Sequence, residues 1–339
     1  MKAAIMNVLD VKNLTIEFKS EQGFLPAVTD VSFHLQKGEI LALVGESGCG
    51  KSISCMSLSR LLPSPPARIP RGEVLLTRRD GTTEDVMKLS SRQLRKIRGG
   101  EIAYIFQEPS VSLNPVFRVG TQIAEAIELH RPDVTDVEGE VVNLLRQVGI
   151  PGPEERAKLY PHEMSGGMQQ RVMIAMALAS RPSILVADEP TTALDVTIQA
   201  QILELLADLR KETGMSIILV THNLGIVSEM ADRVCVMYAG RIVETAPVRE
   251  LIDRPRHPYT TALLAAVPKL GGEHGKLSTI PGSVPTPAHF PAGCRFCDRC
   301  ALRRTFPEAE QTICETTVPP MRELSPGHFC ACHKTGDAQ

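Results

Sequence analysis

A short apolar segment that leads into a glycine-rich loop constrains the fold of this 339-residue chain more than any other feature. Residues 40–44 (Ile-Leu-Ala-Leu-Val) have the pattern of a strand buried on both faces, and residues 51–62 suit a helix. Between them, Gly-Glu-Ser-Gly-Cys-Gly-Lys-Ser fits the pattern G-x-x-x-x-G-K-S/T in the strand–loop–helix context that it requires. Backbone N–H groups of such a loop face a phosphate chain, so the segment predicts an α/β protein that binds a nucleotide.

Within the loop, Lys51 is expected to neutralise the β- and γ-phosphates and Ser52 to ligate Mg²⁺. The N-terminus of the following helix favours the anion as well. Cys49 has no expected chemical role beyond its place in the loop. The predicted nucleotide-binding residues here are Gly45, Glu46, Ser47, Gly48, Cys49, Gly50, Lys51 and Ser52.

Two acidic residues follow a second apolar run, residues 184–187. Asp188 is expected to hold Mg²⁺ directly or through water, and Glu189 to orient and deprotonate an attacking water as general base. An ordinary strand that ends in a solvated acidic turn would look the same by itself. The phosphate-binding loop in the same chain favours the catalytic interpretation.

A third signal is Ser165-Gly166-Gly167, placed before a long apolar-patterned helix. Ser165 suits a helix N-cap, and the exposed N–H groups suit an anion. A plain helix cap is the alternative. Two separate anion sites in one chain make sense if each supplies half of a composite nucleotide pocket across a dimer.

Composition limits the remaining choices. The 37 basic and 39 acidic residues nearly cancel, which argues against a mainly nucleic-acid-binding protein. No stretch approaches the roughly 20 apolar residues that cross a bilayer. The N-terminal apolar run is broken by Asp10 too soon for a secretory signal. We therefore expect a cytoplasmic protein that a partner recruits to any membrane at which it works.

The order of strand-like and helix-like segments predicts a parallel α/β sheet up to about residue 253, where Pro, His, Gly and Cys become frequent. A small, loop-rich C-terminal region is expected beyond that point. Helices are expected over 119–181, with loops near 131–136 and 149–155, and over 196–212. Strands are expected over 7–19, 31–35, 40–44, 184–188, 216–221, 233–238 and 241–245.

These motifs, in this order, resemble the ATP-binding subunits of ABC transporters. The resemblance implies a P-loop NTPase fold with a parallel sheet core, an antiparallel β subdomain and a helical subdomain at about 110–180. It places the nucleotide-binding domain at 6–252 and a cysteine-rich extension at 253–339. Residues 45–52 resemble Walker A and residues 184–188 resemble Walker B.

The resemblance also assigns roles to further residues. Gln107 matches the Q-loop glutamine, which senses Mg²⁺ and water and relays the state of the site to the membrane domains. His222 matches the switch histidine at the γ-phosphate, and Asp195 matches the D-loop. Phe18 is expected to stack on adenine, with Phe24 as the alternative.

The ABC signature corresponds to residues 164–168, where Ser165, Gly166 and Gly167 would contact the γ-phosphate bound to the opposite subunit, together with Asp195 in trans. Here Met164 and Met168 replace the outer Leu and Gln of the common signature. Met168 cannot supply the polar contact of a glutamine, so that contact alone is in doubt.

More selective segments resemble the oligopeptide, dipeptide and nickel permease branch: residues 107–109, 112–115, 188–197, 256–260 (Arg-His-Pro-Tyr-Thr) and 281–282. A surface turn is the alternative for 256–260. The resemblance implies an ATP-hydrolysing importer subunit on the cytoplasmic face of the plasma membrane. Its partners would be two permeases, a sister ATPase in a heterodimer (a homodimer second) and, indirectly, an external substrate-binding protein. Short peptides are the expected substrate, with nickel, glutathione or opines as alternatives.

Six of the nine cysteines fall after residue 293, which in a reducing cytosol points to a metal or cluster. Thiolates at loop positions suit Zn²⁺ or an iron–sulfur cluster, and a site without metal stays open. The branch often carries a 4Fe–4S cluster, and the matching residues are Cys294, Cys300, Cys314 and Cys332, with Cys297 and Cys330 extra.

Soluble ABC ATPases that act on DNA ends or ribosomes use the same motifs. The DNA-repair members carry long coiled coils between the P-loop and the signature, and residues 53–163 hold no such heptads. The ribosome-acting members usually have two nucleotide domains in one chain, whereas this chain has one.

Overall fold

The computed structural model describes residues 6–21, 23–192, 194–266 and 279–335. The N-terminal run considered as a secretory signal lies partly in residues 1–5, outside these ranges, as do residues 267–278 and 336–339 of the expected extension. In the described ranges, no helix is long and apolar enough to cross a membrane.

Strands and helices alternate along much of the chain. The strands are β1 (Asn7–Ser20), β2 (Gly23–Gln36), β3 (Ile40–Val44), β4 (Ala67–Thr77), β5 (Thr83–Asp85), β6 (Ile102–Ile105), β7 (Ile184–Asp188), β8 (Ser216–Thr221), β9 (Arg233–Tyr238), β10 (Arg241–Pro247), β11 (Arg322–Ser325) and β12 (His328–Cys330). The helices are α1 (Lys51–Ser57), α2 (Ser91–Ile97), α3 (Pro109–Ser112), α4 (Val119–His130), α5 (Val137–Gln147), α6 (Pro153–Arg156), α7 (Gly166–Leu178), α8 (Val196–Thr213), α9 (Leu224–Met230), α10 (Val248–Asp253), α11 (Pro258–Ala265) and α12 (Glu308–Thr316).

Two compact units make up the described chain. The first holds residues 6–9, 35–39 and 75–220, and its centre is three parallel strands, β6, β7 and β8. Strand β7 pairs with β6 from Ile184↔Ile102 and with β8 from Ile184↔Ser216. Every residue of β8 and the first four of β7 are buried, as expected for parallel strands covered on both faces.

The helices of the first unit pack through their apolar faces. Helices α4, α5 and α7 contact one another, and α7 also contacts β6. Ile123 of α4, Leu145 of α5 and Val172 of α7 are fully buried there. This packing fixes the start of α7, at which the Ser-Gly-Gly segment lies.

The second unit holds residues 10–34, 40–74 and the described part of 221–335. Strand β3 runs parallel to β9, with Leu41 paired to Arg233, and β9 runs antiparallel to β10. Strand β12 then pairs antiparallel with β10 through Glu244↔Cys330, and β11 pairs with β12. The C-terminal region was expected to be loop-rich, yet it adds two short strands to this sheet.

The N-terminal strands show the alternation that their sequence predicts. Leu9, Val11, Leu14 and Ile16 of β1 are fully buried, whereas the residues between them are more exposed. In sheet order β2, β1 and β4 are neighbours. Strand β4 was not predicted, because its first four residues, which include Pro70, belong to the proline-rich stretch 63–70 that was expected only to break the preceding helix.

The strand expected over 31–35 begins earlier, since β2 already starts at Gly23, and the first helix ends earlier than predicted. A helix was expected over 51–62, but α1 ends at Ser57. Arg60 adopts a positive φ of 53°, a left-handed conformation that a right-handed helix cannot contain. The helix therefore ends before the proline-rich stretch that was expected to end it.

Candidate active site

The glycine-rich loop follows β3 directly and leads into α1, as its sequence predicts. A Cβ atom on Gly45 would lie 2.2 Å from the carbonyl oxygen of Met237 on β9, so this position admits only glycine. Gly50, the N-cap of α1, has φ 104°, a conformation that side-chain-bearing residues rarely adopt. The loop is thus shaped by close backbone packing.

Lys51 is the buried cation of the loop. Only 5% of its surface is exposed, and its Nζ donates to the carbonyl oxygens of Gly45 at 2.7 Å and Glu46 at 3.1 Å. The Cys49 Sγ lies 3.8 Å from the same Nζ. Burial raises the pKa of the Cys49 thiol, so it stays a neutral packing group, in line with its expected lack of a chemical role.

Gln107 and Glu189, two predicted catalytic residues, are brought together in the first unit. The Gln107 Nε2 donates to Glu189 Oε2 at 3.3 Å, and the Thr192 hydroxyl donates to the same oxygen at 2.9 Å. Glu189 has a positive φ of 46°. Such strain at a non-glycine residue is typical of functional positions, and here it holds a carboxylate at the end of a buried strand.

Asp188 ends β7, where it pairs with Val220 of β8. It is half-buried, unlike the fully buried apolar residues before it. The backbone N–H of the next residue, Glu189, donates to the Val220 carbonyl at 2.9 Å. The two acids therefore occupy the carboxyl end of a parallel strand, the edge at which α/β proteins bind ligands.

The Ser-Gly-Gly segment begins α7. The Ser165 side chain accepts the Met168 N–H at 3.4 Å, which confirms the predicted N-cap. Ser165 and Gly166 are exposed, and nothing lies within 4 Å of a Cβ built on Gly166. A Cβ on Gly167 would lie 3.1 Å from Ile198. The segment thus presents its hydroxyl and first N–H groups to the outside of its unit.

Asp195 has a similar local role. It is the N-cap of α8 and accepts the Ile198 N–H at 3.0 Å. Val196 beside it has 82% of its surface exposed. A capping side chain next to an exposed apolar residue suits a segment that meets another subunit.

His222 and Phe18 lie in the second unit, together with the glycine-rich loop. His222 is exposed between β8 and α9, where Asn223 caps the helix by accepting the Gly225 N–H at 2.9 Å. Phe18 is half-buried on β1. The alternative, Phe24, has its ring covered by the Arg68 guanidinium at 3.6 Å from the ring centroid. That contact occupies one face of Phe24.

No pattern in the sequence indicated that the C-terminal region contacts the glycine-rich loop. The hydroxyl of the fully buried Tyr259 accepts the Glu46 N–H at 2.9 Å, and the Arg299 guanidinium binds the Glu46 carboxylate. Residues 256–260 were singled out as a family segment, but their partner was not foreseen. Arg299 was not singled out at all.

A buried histidine holds Tyr259 in place. His257 caps α11, because its ring Nδ1 accepts the Tyr259 N–H at 3.1 Å. The backbone N–H of His257 donates to Glu244 Oε2 at 2.9 Å. Burial lowers the pKa of His257 to about 3, so the ring is neutral near neutral pH. The buried His328 also contacts Glu244, Nε2 to Oε1, at 2.7 Å.

Five cysteines of the C-terminal region line one pocket, among them all four predicted cluster ligands. They are Cys294, Cys297, Cys300, Cys314 and Cys332. The Cys294 N–H donates to the Cys314 carbonyl at 2.8 Å. Cys330 instead lies on β12, with its sulfur 3.3 Å from the Thr335 hydroxyl. Burial raises the pKa of Cys294 and of Cys297 to about 12.

The arrangement of these thiols is not that of a formed metal site. Among the described residues, no three His, Cys, Asp or Glu side chains are grouped so that they could hold a metal ion. The donor set itself, several thiols around one pocket, fits a thiolate-bound iron–sulfur cluster or Zn²⁺ in its chemistry.

Two family models match parts of this chain. Residues 28–192 match the ABC transporter family, and residues 243–305 match the C-terminal region of oligopeptide/dipeptide transporters. A probable peptide ABC transporter ATP-binding protein of Sinorhizobium fredii is 47% identical over 332 residues, which are 97% of this chain and 96% of that protein. The oligopeptide transport ATP-binding protein OppD of Bacillus subtilis is 48% identical over 328 residues, 96% of this chain and 88% of that protein.

Solved structures agree with the fold. A dimeric ATP-binding cassette in a post-hydrolysis state, bound to ADP and Pi, aligns with a TM-score of 0.62 and 27% identity, covering 71% of this chain and 99% of that one. The protein cbiO1 of the ABC transporter complex cbiONQ from Clostridium perfringens aligns with a TM-score of 0.60 and 28% identity, covering 73% of this chain and 91% of that one. The predicted ABC-type P-loop NTPase fold is confirmed, and the chain belongs to the family of ABC transporter ATP-binding proteins.

Proposed function

We propose that this chain is the ATP-hydrolysing subunit that powers an importer of short peptides. The observation that carries the proposal is the joining, in one chain, of an ABC transporter domain and an oligopeptide/dipeptide transporter C-terminal region. Two relatives that match nearly the whole chain are named as peptide transport ATP-binding proteins. We extend their role to this chain.

The glycine-rich loop would bind the triphosphate. Its N–H groups would face the phosphate oxygens, and Lys51, which is bonded to loop carbonyls in this structure, would move its ammonium onto the β- and γ-phosphates. Ser52 supplies a hydroxyl for Mg²⁺ in this proposal. Asp188 and Gln107 supply a carboxylate and an amide oxygen, the hard donors that Mg²⁺ prefers.

Hydrolysis is assigned to Glu189. A water oxygen forms a bond to the γ-phosphorus, the bond to the β–γ bridging oxygen breaks, and the Glu189 carboxylate accepts the proton of the water. The hydrogen bond from Gln107 and that from Thr192 fix the carboxylate that takes this proton. His222 would contact the γ-phosphate, and Phe18 would stack on adenine.

A second ATPase subunit would complete the site. Ser165, Gly166, Gly167 and Asp195 are proposed to act on the nucleotide of the opposite subunit, a sister ATPase. The exposure of Ser165 and Gly166 supports this, because these groups are available to a partner. A homodimer is the second possibility, and size measurement with and without the sister subunit separates the two.

The segment after Gln107 is proposed to meet the permeases. Val111 and Val116 expose 78% and 70% of their surfaces. The Gln122 side chain holds this segment by accepting the Asn114 N–H at 2.9 Å and donating to the Phe117 carbonyl at 3.0 Å. An exposed apolar segment with a fixed backbone, adjacent to a residue that contacts the catalytic carboxylate, suits relay to a membrane partner. The chain would then work at the cytoplasmic face of the plasma membrane.

We also propose a 4Fe–4S cluster on Cys294, Cys300, Cys314 and Cys332, with Zn²⁺ as the alternative. The proposed cluster is supported by the pocket that all four thiols line. Because the described side chains are not grouped as metal ligands, the cysteine side chains must rotate when the cluster binds. A structural role is expected. Anaerobic purification with iron, sulfide and zinc analysis decides, and a zinc-loaded, iron-free protein would exclude the cluster.

Growth tests the transport proposal. A strain that lacks this gene should fail to use short peptides as its amino-acid source, and the wild-type gene, but not one carrying Glu189→Gln, should restore growth. Unchanged use of di- and oligopeptides would overturn peptide import. Loss of nickel, glutathione or opine uptake instead would reassign the substrate.

A further inference from the structure

The C-terminal region binds the glycine-rich loop at Glu46. The Arg299 Nη1 lies 3.0 Å from Glu46 Oε1, and Nη2 lies 3.2 Å from Oε2, a two-point contact between guanidinium and carboxylate. The Tyr259 hydroxyl accepts the Glu46 N–H at 2.9 Å. Both the side chain and the backbone of Glu46 are therefore held from outside the loop.

The Arg299 side chain is itself fixed. Its Nε donates to the Pro281 carbonyl at 2.8 Å, Nη2 donates to the Ile280 carbonyl at 3.2 Å, and Nη1 lies 3.3 Å from the Tyr238 hydroxyl. Its side chain is 7% exposed, against 28% for Glu46. A buried, planar and fully bonded guanidinium orients its partner far better than a surface ion pair does.

The same loop residue supports the phosphate-binding lysine. The carbonyl of Glu46, with that of Gly45, accepts hydrogen bonds from the Lys51 Nζ. A displacement of Glu46 would move this carbonyl and the neighbouring N–H groups that face the phosphates. The contact of Arg299 with Glu46 is therefore linked, through the Glu46 carbonyl and Lys51, to the proposed phosphate-binding groups.

The cysteine-rich segment around residues 294–300 determines the position of Arg299. It ends a single 3₁₀ turn, Cys297–Arg299, and the buried Cys300 follows it. Tyr259 and Phe296 pack together with ring centroids 5.4 Å apart. The fold of this segment therefore determines where the guanidinium meets the loop.

We propose that Arg299 and Tyr259 are positioning residues that hold the glycine-rich loop in its nucleotide-receiving conformation, so that ATP affinity depends on the C-terminal region. This rests on the proposed binding of ATP by the loop. The two residues act through Glu46 and do not touch the nucleotide. Their loss should weaken nucleotide binding while leaving the rate of the bound complex nearly unchanged.

Equilibrium titration of the purified full chain with a fluorescent ATP analogue and Mg²⁺ tests the proposal. Arg299→Gln should raise Kd about five- to tenfold, because it removes a buried two-point contact, and Tyr259→Phe about threefold, because it removes one hydrogen bond. Because Glu46→Gln removes the same contact, adding it to Arg299→Gln should raise Kd little further. In steady-state assays with the sister ATPase present, KM for ATP should rise while kcat changes less than about twofold.

Arg303→Gln is the matched control. Arg303 lies in the same segment, pairs with Glu315 and donates to the Cys297 carbonyl, and none of these contacts reaches Glu46. Its Kd should stay within about twofold of wild type. If Arg303→Gln and Arg299→Gln lose ATP affinity equally, Arg299 only helps to stabilise the segment as a whole, and the proposal is overturned.

Two further variants keep the outcome decisive. If Arg299→Gln does not fold, Tyr259→Phe decides, and a wild-type Kd for that variant overturns the proposal. Lys51→Ala tests the premise, since it should lose nucleotide affinity whatever Arg299 does. If Lys51→Ala binds ATP as the wild type does, the loop is not the ATP site. If Lys51→Ala loses ATP affinity while Arg299→Gln keeps it, only the positioning role is refuted.

Discussion

Gln107 and Glu189 are joined by a hydrogen bond of 3.3 Å although 82 residues separate them in the chain. The amide donates to the carboxylate oxygen that Thr192 also contacts. A group proposed to report on the nucleotide thus touches the group proposed to hydrolyse it. Movement of either residue would strain or break this hydrogen bond. The bond therefore couples the proposed hydrolysis step to the position of the segment after Gln107.

Replacement of Glu189 by Gln should separate binding from hydrolysis. The amide keeps the size of the side chain but cannot accept the proton of the attacking water, so turnover should fall at least about 100-fold. ATP binding should persist, and light scattering with ATP should detect a trapped dimer when the partner subunit is present. Phosphate release at the wild-type rate would refute Glu189 as the base.

A methyl group at Gly45 should destabilise the fold. The added Cβ would lie 2.2 Å from the Met237 carbonyl oxygen and 2.7 Å from Cys49 Sγ, so backbone must shift. We expect Gly45→Ala to cost about 1–3 kcal/mol in unfolding free energy. Gly166→Ala is the control, because open space surrounds that Cβ and its unfolding midpoint should not change. Equal midpoints for the two variants would contradict the steric account.

The sequence predicted the elements whose signal is local. The continuous apolar runs at 184–188 and 216–221 were placed correctly, since strands buried on both faces need no partner to be recognised. Strand β6 (Ile102–Ile105) was missed because four residues carry little periodicity and its pairing with β7 is a tertiary choice. Strand β12 was missed for the same reason, since its partner β10 lies far away in sequence.

The candidate site divides in the same way. Motif residues such as Lys51 and Glu189 were predicted because their residue types and spacing carry the chemistry. The contacts of Glu46 with Tyr259 and Arg299 span 213 and 253 residues, and no local pattern encodes them. Only the packed C-terminal region reveals that the glycine-rich loop has outside support.

Acid should weaken the protein through His257. Its folded-state pKa of about 3 lies below the ordinary 6.5, so the unfolded chain binds a proton more readily between these values. Stability is therefore lost as pH falls below about 6.5, by about 2 kcal/mol at pH 5 from this residue. His257→Asn keeps an N-cap acceptor for Tyr259 but cannot titrate, so its unfolding midpoint should fall less between pH 7.5 and pH 5. An unchanged acid sensitivity would remove His257 from this role.

The exposed apolar segment after Gln107 should matter for transport and not for ATP hydrolysis by the two ATPase subunits without the permeases. Val111→Asp and Val116→Asp put charge on side chains that are 78% and 70% exposed, so folding should be unaffected. Peptide uptake in cells should fall several-fold, while ATP hydrolysis by the purified chain together with its sister ATPase stays at the wild-type rate. Leu129→Asp, on another apolar residue that is 69% exposed, is the matched control and should transport normally. Equal uptake by all three variants would exclude this segment as the permease contact.

The cysteine pocket makes a prediction that iron content can test. Cys300 lines the pocket with the other proposed ligands, whereas Cys330 lies on β12 beside Thr335. Cys300→Ser should therefore lower bound iron and sulfide to less than about half of the wild-type content, because a cluster that loses one of four thiolates is held poorly. Cys330→Ser should keep both, and its visible absorbance should match the wild type. If the two variants retain iron equally, Cys300 is not a ligand, and if zinc replaces iron in the wild type, the thiols hold a tetrahedral metal ion instead.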